Sequence, residues 1–557
     1  MTTYEDMPWL GQLNEAQRAP VAPPETILHA FRSAVAAAPG HTFLAYFDGK
    51  LSYEEADALS DGIAAHLAAR GLGHGDRVAV ILQNSPQFAL ALLGAWKAGG
   101  TVVPVNPMYK DREVAHVLRD AEVTALVCSD RAWDAYLRAT ASDSPVRIAL
   151  TTCERDLQTR DDPRVLGFER APRADDADDL LAAARGGAPA PGGRELTGAD
   201  TALISYTSGT SGAPKGAMNL HSNIAYNAER QRVGGGLEEG ACIFALAPLF
   251  HITGMVCQLA PVIANRGTLA LAYRFDAGVV LDAFLEHRPA FTVGPSTAFM
   301  ALAAHPGVSR DHFASFSFIS SGGAPLPPAL VEKFRAAFGP YIRNGYGLTE
   351  CTAPCASVPP EKEAPVDPAS GTLAVGVPGP ETVVRVLDEN GQPVPFGELG
   401  EIAVRGPQVV PGYWRRPEES AAALPEGELL TGDIGFMDAD GWLYVVDRKK
   451  DMINASGFKV WPREVEDVLY AHPAVREAAV VGVADSYRGE SVKAYVSLRT
   501  EARAEPSELI EELVEHCKAQ LAAYKYPREI EILPELPKTT SGKILRRELR
   551  SRQGSDA

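Results

Sequence analysis

A run of hydroxyl side chains and glycines followed by one lysine has the composition of a loop that holds polyphosphate. It extends from Tyr206 to Gly216 and follows the apolar stretch 202–204, which predicts a short buried strand. Glycines let backbone N–H groups turn towards an anion, hydroxyl groups add donors, and lysine adds positive charge. A loop of the G-x-x-x-x-G-K-[ST] type is excluded, because Pro214 and Gly216 flank Lys215. The alternative is a flexible polar surface loop.

Three further stretches contain groups that suit a nucleotide. In the stretch 345–350, Gly-Tyr-Gly-Leu-Thr-Glu, an aromatic ring between glycines can lie on a purine, and a hydroxyl followed by a carboxylate can bind phosphate oxygen and Mg²⁺. Asp433, in a Thr-Gly-Asp sequence, accepts hydrogen bonds only when ionised, which suits two ribose hydroxyls. Lys543 ends the tail sequence Pro-Lys-Thr-Thr-Ser-Gly-Lys. Taken singly, these are more commonly a plain turn, a capping aspartate and a solvated lysine.

In type and order these motifs resemble those of the adenylate-forming superfamily, which includes acyl-CoA synthetases, nonribosomal-peptide adenylation domains and beetle luciferases. The resemblance covers nearly the whole chain and implies an α/β enzyme that activates a carboxylic acid with ATP. The matching segments are 206–216, 344–350, 431–433, 447–451 with Ser456-Gly457, and 537–543.

The resemblance also assigns the nucleotide and metal contacts. It places Tyr346 on adenine and Thr349 on the α-phosphate. Glu350 would bind Mg²⁺, with Thr207 as a second oxygen ligand. The other nucleotide-binding residues that it implies are Ser208, Gly209, Thr210, Ser211, Gly212, Lys215, Gly323, Ala324, Pro325, Asn344, Gly345 and Gly347.

Contacts with the ribose and with the reacting groups follow from the same resemblance. Asp433 and Arg448 would lie beside the ribose. Lys543 would lie between the carboxylate of the acid and the α-phosphate, where one ammonium group offsets the repulsion of two anions. Lys450 would be the hinge of a mobile C-terminal domain, and Gly457 would line the path of CoA.

The pocket for the acid is expected around His251, which lies in the uncharged stretch 241–265. In related acyl-CoA synthetases the matching position borders the carboxylate, whereas the general alternative is a satisfied core histidine. Gly322 and Gly347 would leave room for the chain of the acid. The catalytic residues that the resemblance implies are Lys543, Thr349, Glu350 and His251.

Two departures from the superfamily pattern narrow the range of expected reactions and substrates. Ser456 replaces the lysine that luciferases carry before Gly457, which disfavours light emission. The Phe244-Ala245 pair lacks the aspartate with which amino-acid-activating domains hold the α-ammonium group. Amino acids are therefore not expected as substrates.

The elements that position these motifs follow from the order of sequence patterns. From Glu25 onwards helical and strand patterns alternate, which predicts parallel sheets covered by helices on both faces. Residues 153–200, rich in Asp, Arg and Ala, are expected to form an exposed connection and not core. The predicted fold class is α/β, with a large N-terminal domain of two α/β sheet subdomains plus a β-rich subdomain, and a small mobile α+β C-terminal domain. The predicted bounds are 1–447 for the N-terminal domain, 448–450 for the hinge and 451–557 for the C-terminal domain.

The totals indicate a folded protein and disfavour some partners. Of 557 residues, 46% are apolar and 22% charged, and the net charge of −18 argues against nucleic acid or an anionic membrane as the main partner. The seven scattered cysteines are typical of a cytoplasmic protein, and the N-terminal residues predict no secretory signal. Pro248, Gly254 and Pro261 interrupt the uncharged stretch 241–265, so no membrane span is expected.

The interpretation is an ATP-dependent carboxylic acid:CoA ligase that forms an acyl-adenylate with ATP and Mg²⁺ and then a thioester with coenzyme A. The uncharged stretch favours a fatty or otherwise hydrophobic acid, natural-product acids included, and an aryl acid is the alternative. Two rivals are an acyl-AMP ligase that loads a carrier protein and a nucleotide-binding protein without catalysis. Retention of Glu350, Asp433 and Lys543 argues against the second rival. The oligomeric state is left open, a homodimer included.

Overall fold

The computed structural model describes residues 3–192, 195–207, 214–455, 458–485, 489–499, 506–539 and 544–552. The strands of these residues are β1 (Thr42–Tyr46), β2 (Gly49–Ser52), β3 (Arg77–Ile81), β4 (Thr101–Pro104), β5 (Val123–Ser129), β6 (Ile148–Thr152), β7 (Asp178–Asp179), β8 (Thr201–Tyr206), β9 (Gly216–Leu220), β10 (Cys242–Phe244), β11 (Thr268–Leu271), β12 (Phe291–Gly294), β13 (Phe318–Ser321), β14 (Ile342–Tyr346), β15 (Ala356–Ser357), β16 (Val377–Pro378), β17 (Val383–Leu387), β18 (Gly400–Arg405), β19 (Leu429–Met437), β20 (Leu443–Arg448), β21 (Ile453–Ala455), β22 (Phe458–Val460), β23 (Val475–Asp485), β24 (Gly489–Leu498) and β25 (Glu529–Ile532). The longer α-helices are α1 (Ile27–Ala37), α2 (Tyr53–Ala69), α3 (Pro86–Lys97), α4 (Asp111–Asp120), α5 (His221–Gly235), α6 (Ala277–His287), α7 (Ser296–Ala304), α8 (Pro328–Phe338), α9 (Pro462–Ala471) and α10 (Pro506–Gln520).

Two sheets of the N-terminal part are mainly parallel. One has the order β16-β15-β14-β13-β12-β10-β11-β1-β2 and the other β7-β6-β5-β3-β4-β8-β9. The pairs from β14 to β1 and from β7 to β8 are parallel, whereas β2, β9, β15 and β16 pair antiparallel at the edges. Strands β4 and β5 are buried throughout, as expected where helices cover both faces of a sheet. The predicted α/β class is confirmed.

Helix α3 shows how tightly these layers pack, because each of its residues is buried. A helix that is apolar all round belongs in the interior. A Cβ atom at Gly94 would lie 2.5 Å from a side-chain carbon of Ile63 in α2, so glycine allows the two helices their close approach. The buried ammonium of Lys97 at the end of α3 is satisfied by Asp57 and Asp61, each 2.6 Å away.

The remaining strands form two smaller units. Strands β17 to β20 make an antiparallel sheet, the predicted β-rich subdomain. Strands β22-β21-β24-β23, with β25 beside β24, form a sheet that α9 and α10 cover, with a separate core that includes Leu469, Leu513 and Cys517. Strand β20 ends at Arg448 and β21 begins at Ile453 in the other sheet. The exact domain bounds stay predictions.

The expectation that residues 153–200 form an exposed connection is wrong for part of this segment. Strand β7 joins the edge of the seven-stranded sheet, and the short helix Leu180–Ala184 buries Leu180, Leu181 and Ala184. This helix packs so closely on α2 that a Cβ atom at Gly62 would lie 2.1 Å from the carbonyl oxygen of Ala184. One helical turn with three apolar residues suffices for this contact, and the surrounding Asp and Arg residues conceal it in the sequence.

The uncharged stretch 241–265 forms strand β10, a loop and a series of helical turns: Ile252–Gly254, Met255–Leu259 and Ala260–Ala264. This is the predicted strand, loop and helix. None of the helices in the described part of the chain is both long and apolar enough to cross a bilayer.

Candidate active site

The predicted phosphate loop connects β8 and β9, which form an antiparallel hairpin. Tyr206 pairs with Gly216, and the N–H of Thr207 donates to the carbonyl oxygen of Lys215 at 2.9 Å. A Cβ atom at Gly216 would lie 2.5 Å from Ile204, so glycine is needed for packing at the base of the hairpin. Five of the predicted phosphate contacts lie outside the described residues and stay predictions: Ser208, Gly209, Thr210, Ser211 and Gly212.

A second segment lies alongside β9, next to this hairpin. The N–H of Met218 donates to the oxygen of Gly412 at 3.0 Å, and the N–H of Trp414 donates to the oxygen of Gly216 at 2.7 Å. Between these two bonds, Tyr413 forms an isolated bridge with Ala217. The backbone of Tyr413 is therefore fixed against the strand that follows the phosphate loop.

The side chain of Tyr413 joins two of the predicted site residues. Its hydroxyl donates to Oε1 of Glu350 at 2.8 Å, and Nζ of Lys215 lies 5.3 Å from the centre of its ring. Burial, with the nearby carboxylate of Glu350, holds the pKa of Tyr413 well above its ordinary value. The tyrosine is therefore a neutral donor in this contact.

Glu350 is held at its backbone as well. It lies in the turn Thr349–Cys351 that follows β14. The side chain of Asn219 donates to the oxygen of Thr349 at 2.9 Å, and the N–H of Val410 donates to the oxygen of Glu350 at 2.9 Å. Among the described residues, Oε2 of Glu350 has no hydrogen-bond partner. A carboxylate oxygen and the hydroxyl of Thr207 are ligands of the kind that Mg²⁺ prefers, so these residues fit the ion.

Tyr346, Asp433 and Arg448 form the predicted adenosine side of the site. The buried hydroxyl of Tyr346 donates to Oδ2 of Asp433 at 2.7 Å, and Nε of Arg448 lies 3.4 Å from Oδ1 of Asp433. Asp433 and Arg448 face each other directly across β19 and β20. Burial, together with Asp433, raises the pKa of Tyr346 well above its ordinary value. The structure thus brings together three residues from three separate sequence motifs.

Glycine-rich strand ends line a cavity of about 180 Å³ beside Tyr346. The ends of β13 and β14 contribute Gly322, Gly323, Asn344, Gly345 and Gly347. Gly323 has a φ of +77°, which favours glycine. A Cβ atom at Gly347 would lie 2.9 Å from the Cα of Pro354, so a close backbone approach also requires glycine there.

Ala324 and Pro325 follow these strand ends but are not among the described residues that line the cavity. The carbonyl oxygen of Pro325 accepts a hydrogen bond from Ser296 at 2.9 Å. Their contact with the nucleotide stays a prediction.

His251 lies at the start of the helical turn Ile252–Gly254, and its Nδ1 accepts the N–H of Thr253 at 3.3 Å. The described cavity wall includes Thr253 and Cys257 but not His251. His251 is therefore two residues before a residue of the cavity wall but does not itself line the described cavity. Its catalytic role stays a prediction.

The predicted hinge lies in a turn in which the N–H of Asp451 donates to the oxygen of Arg448 at 2.9 Å. Burial, assisted by the charge of Arg448, lowers the pKa of Lys450. Gly457 and Lys543 lie outside the described residues, and their roles stay predictions.

Several residues that shape the site were not singled out from the sequence. Tyr413 and Asn219 hold the turn that contains Glu350, and α5 supplies Asn227 and Gln231 to the cavity wall. The only sequence signal for Tyr413 is an aromatic residue after Pro411-Gly412. Nothing in its spacing links it to a carboxylate that lies far earlier in the chain.

Comparison with known proteins bears on the class of this site. Residues 31–414 match the AMP-binding enzyme family, and residues 464–543 match the AMP-binding enzyme C-terminal domain. A long-chain-fatty-acid–CoA ligase of Bacillus subtilis (strain 168) is 34% identical over 570 residues, which cover 97% of each chain. A feruloyl-CoA synthase of an Amycolatopsis species is 35% identical over 506 residues, 90% of this chain and 94% of the relative. The crystal structure of an anthranilate CoA ligase in complex with anthranoyl-AMP is 26% identical, with a TM-score of 0.85 over 97% of this chain and 99% of that chain.

The fold and the site therefore define an enzyme of the adenylate-forming class. The chain belongs to the AMP-binding enzyme family. It is an AMP-forming acid–CoA ligase, and enzymes of this kind use ATP, Mg²⁺ and CoA.

Proposed function

We propose that the enzyme activates a fatty or otherwise hydrophobic acid, natural-product acids included. The observation that carries this proposal is the charge of the cavity wall. Of the described residues that line the cavity, Arg230 is the one charged residue, and its guanidinium lies 3.1 Å from Glu381. A second carboxylate on the substrate would need an unpaired cation, and an α-ammonium group would need a carboxylate. An uncharged chain needs neither, and each buried CH₂ contributes about 0.8 kcal/mol.

In the first half-reaction, a carboxylate oxygen of the acid attacks the α-phosphorus of ATP, and pyrophosphate leaves. Lys543 would touch both anions, Thr349 would contact the α-phosphate, and Glu350 with Thr207 would hold Mg²⁺. The bound ion would neutralise phosphate charge. The loop 208–212 and Lys215 would hold the remaining phosphates.

The adenosine would bind where Tyr346 and Asp433 meet. The ring of Tyr346 would lie against adenine, while Asp433 and Arg448 would orient the ribose. The existing bond from Tyr346 to Asp433 fixes the carboxylate before the nucleotide arrives. This arrangement lowers the entropic cost of binding.

In the second half-reaction, the thiol of CoA attacks the acyl carbonyl carbon and AMP leaves. The C-terminal domain, proposed as 451–557, would rotate about Lys450 within the hinge 448–450. The face that carries Gly457 would then line the path of CoA. His251 would border the carboxylate of the bound acid.

A panel of acids of increasing chain length tests the substrate class. Pyrophosphate release without CoA and acyl-CoA formation by mass spectrometry are measured for each acid. Each CH₂ that enters the cavity should raise kcat/KM about fourfold, since 0.8 kcal/mol corresponds to that factor. Acetate as the best substrate would contradict the proposal.

Gly235→Leu provides a sharper test, because the side chain would extend from α5 towards the cavity wall. A Cβ atom at Gly235 would lie 3.5 Å from the ring of Phe318, an ordinary contact, and Phe318 lines the cavity. Turnover of long acids should fall at least tenfold, while a short acid, the internal control, should be nearly unaffected. An equal loss of turnover for both acids would argue against the proposal that the acyl chain of the substrate lies beside Gly235.

An aryl acid is the second candidate, favoured by the names of the feruloyl-CoA and anthranilate relatives. The same panel, with benzoate and cinnamate derivatives added, distinguishes an aryl acid from a fatty acid.

A carrier protein as the final acceptor would appear as acyl-AMP formation without acyl-CoA. A homodimer is tested by light scattering. A cytoplasmic location is supported by the seven free cysteines, of which six are buried.

A further inference from the structure

Tyr413 lies where the phosphate-loop hairpin meets the turn that contains Glu350. Hydrogen bonds of its two neighbours to β9 fix its backbone, and its own N–H donates to Oγ of Ser420 at 2.8 Å. Only 9% of the residue is exposed. Its hydroxyl therefore reaches Glu350 from a rigid position, with few alternative rotamers.

The hydrogen bond from Tyr413 occupies Oε1 of Glu350 and leaves Oε2 available to a metal ion. A carboxylate held at Oε1 from one side cannot rotate without losing the 2.8 Å contact. Carboxylates that bind metal ions are commonly oriented by such outer hydrogen bonds, which preset the geometry of the ligand. The ring of Tyr413 also lies beside Nζ of Lys215, so the same side chain contacts both the loop lysine and the carboxylate of Glu350.

We propose that Tyr413 is a positioning residue that orients Glu350 for the metal–nucleotide complex. The proposal rests on the assignment of Glu350 as a Mg²⁺ ligand. Tyr413 touches neither substrate nor metal and acts through the carboxylate. A tyrosine that served packing alone would keep its effect on stability and would have none on metal affinity.

Tyr413→Phe removes the hydroxyl and keeps the ring. Binding of ATP, without any acid, is measured by calorimetry in the presence of Mg²⁺ and again in excess EDTA, and Mn²⁺ binding to the ATP complex is followed by electron paramagnetic resonance. Affinity for the divalent ion should fall about 10- to 100-fold, the usual effect of losing such a partner, while metal-free ATP affinity should stay unchanged. Tyr444→Phe is the matched control. The hydroxyl of Tyr444 also donates to a carboxylate, that of Asp438 at 3.2 Å, but this pair is not part of the site.

Glu350→Gln and the double variant complete the experiment. If Tyr413 acts through Glu350, the double variant should bind the ion no more weakly than Glu350→Gln alone. Unchanged ion affinity in Tyr413→Phe, or equal losses with and without the ion, would overturn the proposal. Unchanged ion affinity in Glu350→Gln would instead overturn the assignment of the ligand itself. Melting temperatures of all variants show whether a loss of affinity reflects unfolding.

Discussion

Replacing Arg546 with methionine should impair the tail segment that contains Lys543 and leave the N-terminal domain folded. The guanidinium of Arg546 forms two bonds with Glu466, at 3.1 and 2.7 Å. Its Nη1 lies 3.0 Å from Oδ1 of Asp447 and 3.4 Å from Oδ2 of Asp451. One cation thus contacts three buried carboxylates, and it lies three residues after Lys543 in the sequence.

The size of the effect follows from these contacts. Burial alone would lower the pKa of Arg546, but Asp447 and Glu466 outweigh it and hold that pKa well above its ordinary value. Methionine keeps much of the apolar stem but removes the cation that these carboxylates share, and removing one side of a buried ion pair costs about 3–5 kcal/mol. Leu549 stays buried and Arg550 still binds Asp451 at 2.7 Å, so the lower end, about 3 kcal/mol, is expected.

If this loss falls on docking of the tail, adenylation should decrease by up to about 100-fold, since 1.4 kcal/mol is a factor of ten. Pyrophosphate release without CoA measures adenylation, and conversion of synthetic acyl-AMP with CoA measures the second step. Calorimetry reports the unfolding of each domain. Arg547→Met is the matched control, because Arg547 is adjacent and exposed. Equal adenylation by the two variants would refute the reasoning.

Two further predictions concern the hinge and a buried acid. Lys543→Ala should abolish acyl-AMP formation but still convert supplied acyl-AMP and CoA to the thioester. Lys450→Pro should do the reverse, because a fixed φ restricts rotation of the C-terminal domain. Paired assays of the two half-reactions check both variants, and an equal loss of both steps in Lys543→Ala would contradict the scheme. Burial raises the pKa of Asp467 from 3.8 to about 7, so the folded protein binds more protons between these values and loses stability as pH rises through them, by about 4 kcal/mol at most. Asp467→Asn should therefore stabilise the C-terminal domain at pH 8 and have little effect near pH 4, as measured by calorimetry; the same gain at both pH values would refute the buried charge as its cause.

The elements of the two parallel sheets could be predicted from the sequence because each carries its own signal. Helix α4, for example, buries Val114, Val117 and Leu118 at helical spacing, whereas strand β5 is a short, mainly apolar run that is buried throughout. The phosphate loop and the Gly-rich turn before Glu350 are contiguous motifs, so their residue types indicate their chemistry directly. What such motifs share is that their function depends on neighbours in the chain.

The pairing of distant residues could not be predicted in the same way. Tyr346 and Asp433 meet because β14 of one sheet lies beside β19 of another, and no periodicity specifies how two sheets pack. Tyr413 reaches Glu350 through an isolated bridge to β9, not through a regular strand. The family resemblance supplied a role for Tyr346 but none for Tyr413.

The contacts of the hinge segment divide between two parts of the molecule. Arg448 binds Asp433, and Lys449 binds Glu401 at 2.9 Å, both in the β-rich subdomain. Asp451 instead binds the tail. This division at residue 450 is what a pivot there requires.

Asp447 is the exception to this division. It precedes the proposed pivot, yet its Oδ2 accepts the N–H of Arg463 at 2.9 Å, and its Oδ1 lies 3.0 Å from Nη1 of Arg546. Both partners belong to the C-terminal part, so a rotation about Lys450 has to break both bonds. Because Asp447 is buried, its charge would need new partners in any second arrangement. Asp447 therefore favours the arrangement seen in the structure, and the balance between the two half-reactions should depend on this carboxylate as much as on Lys450.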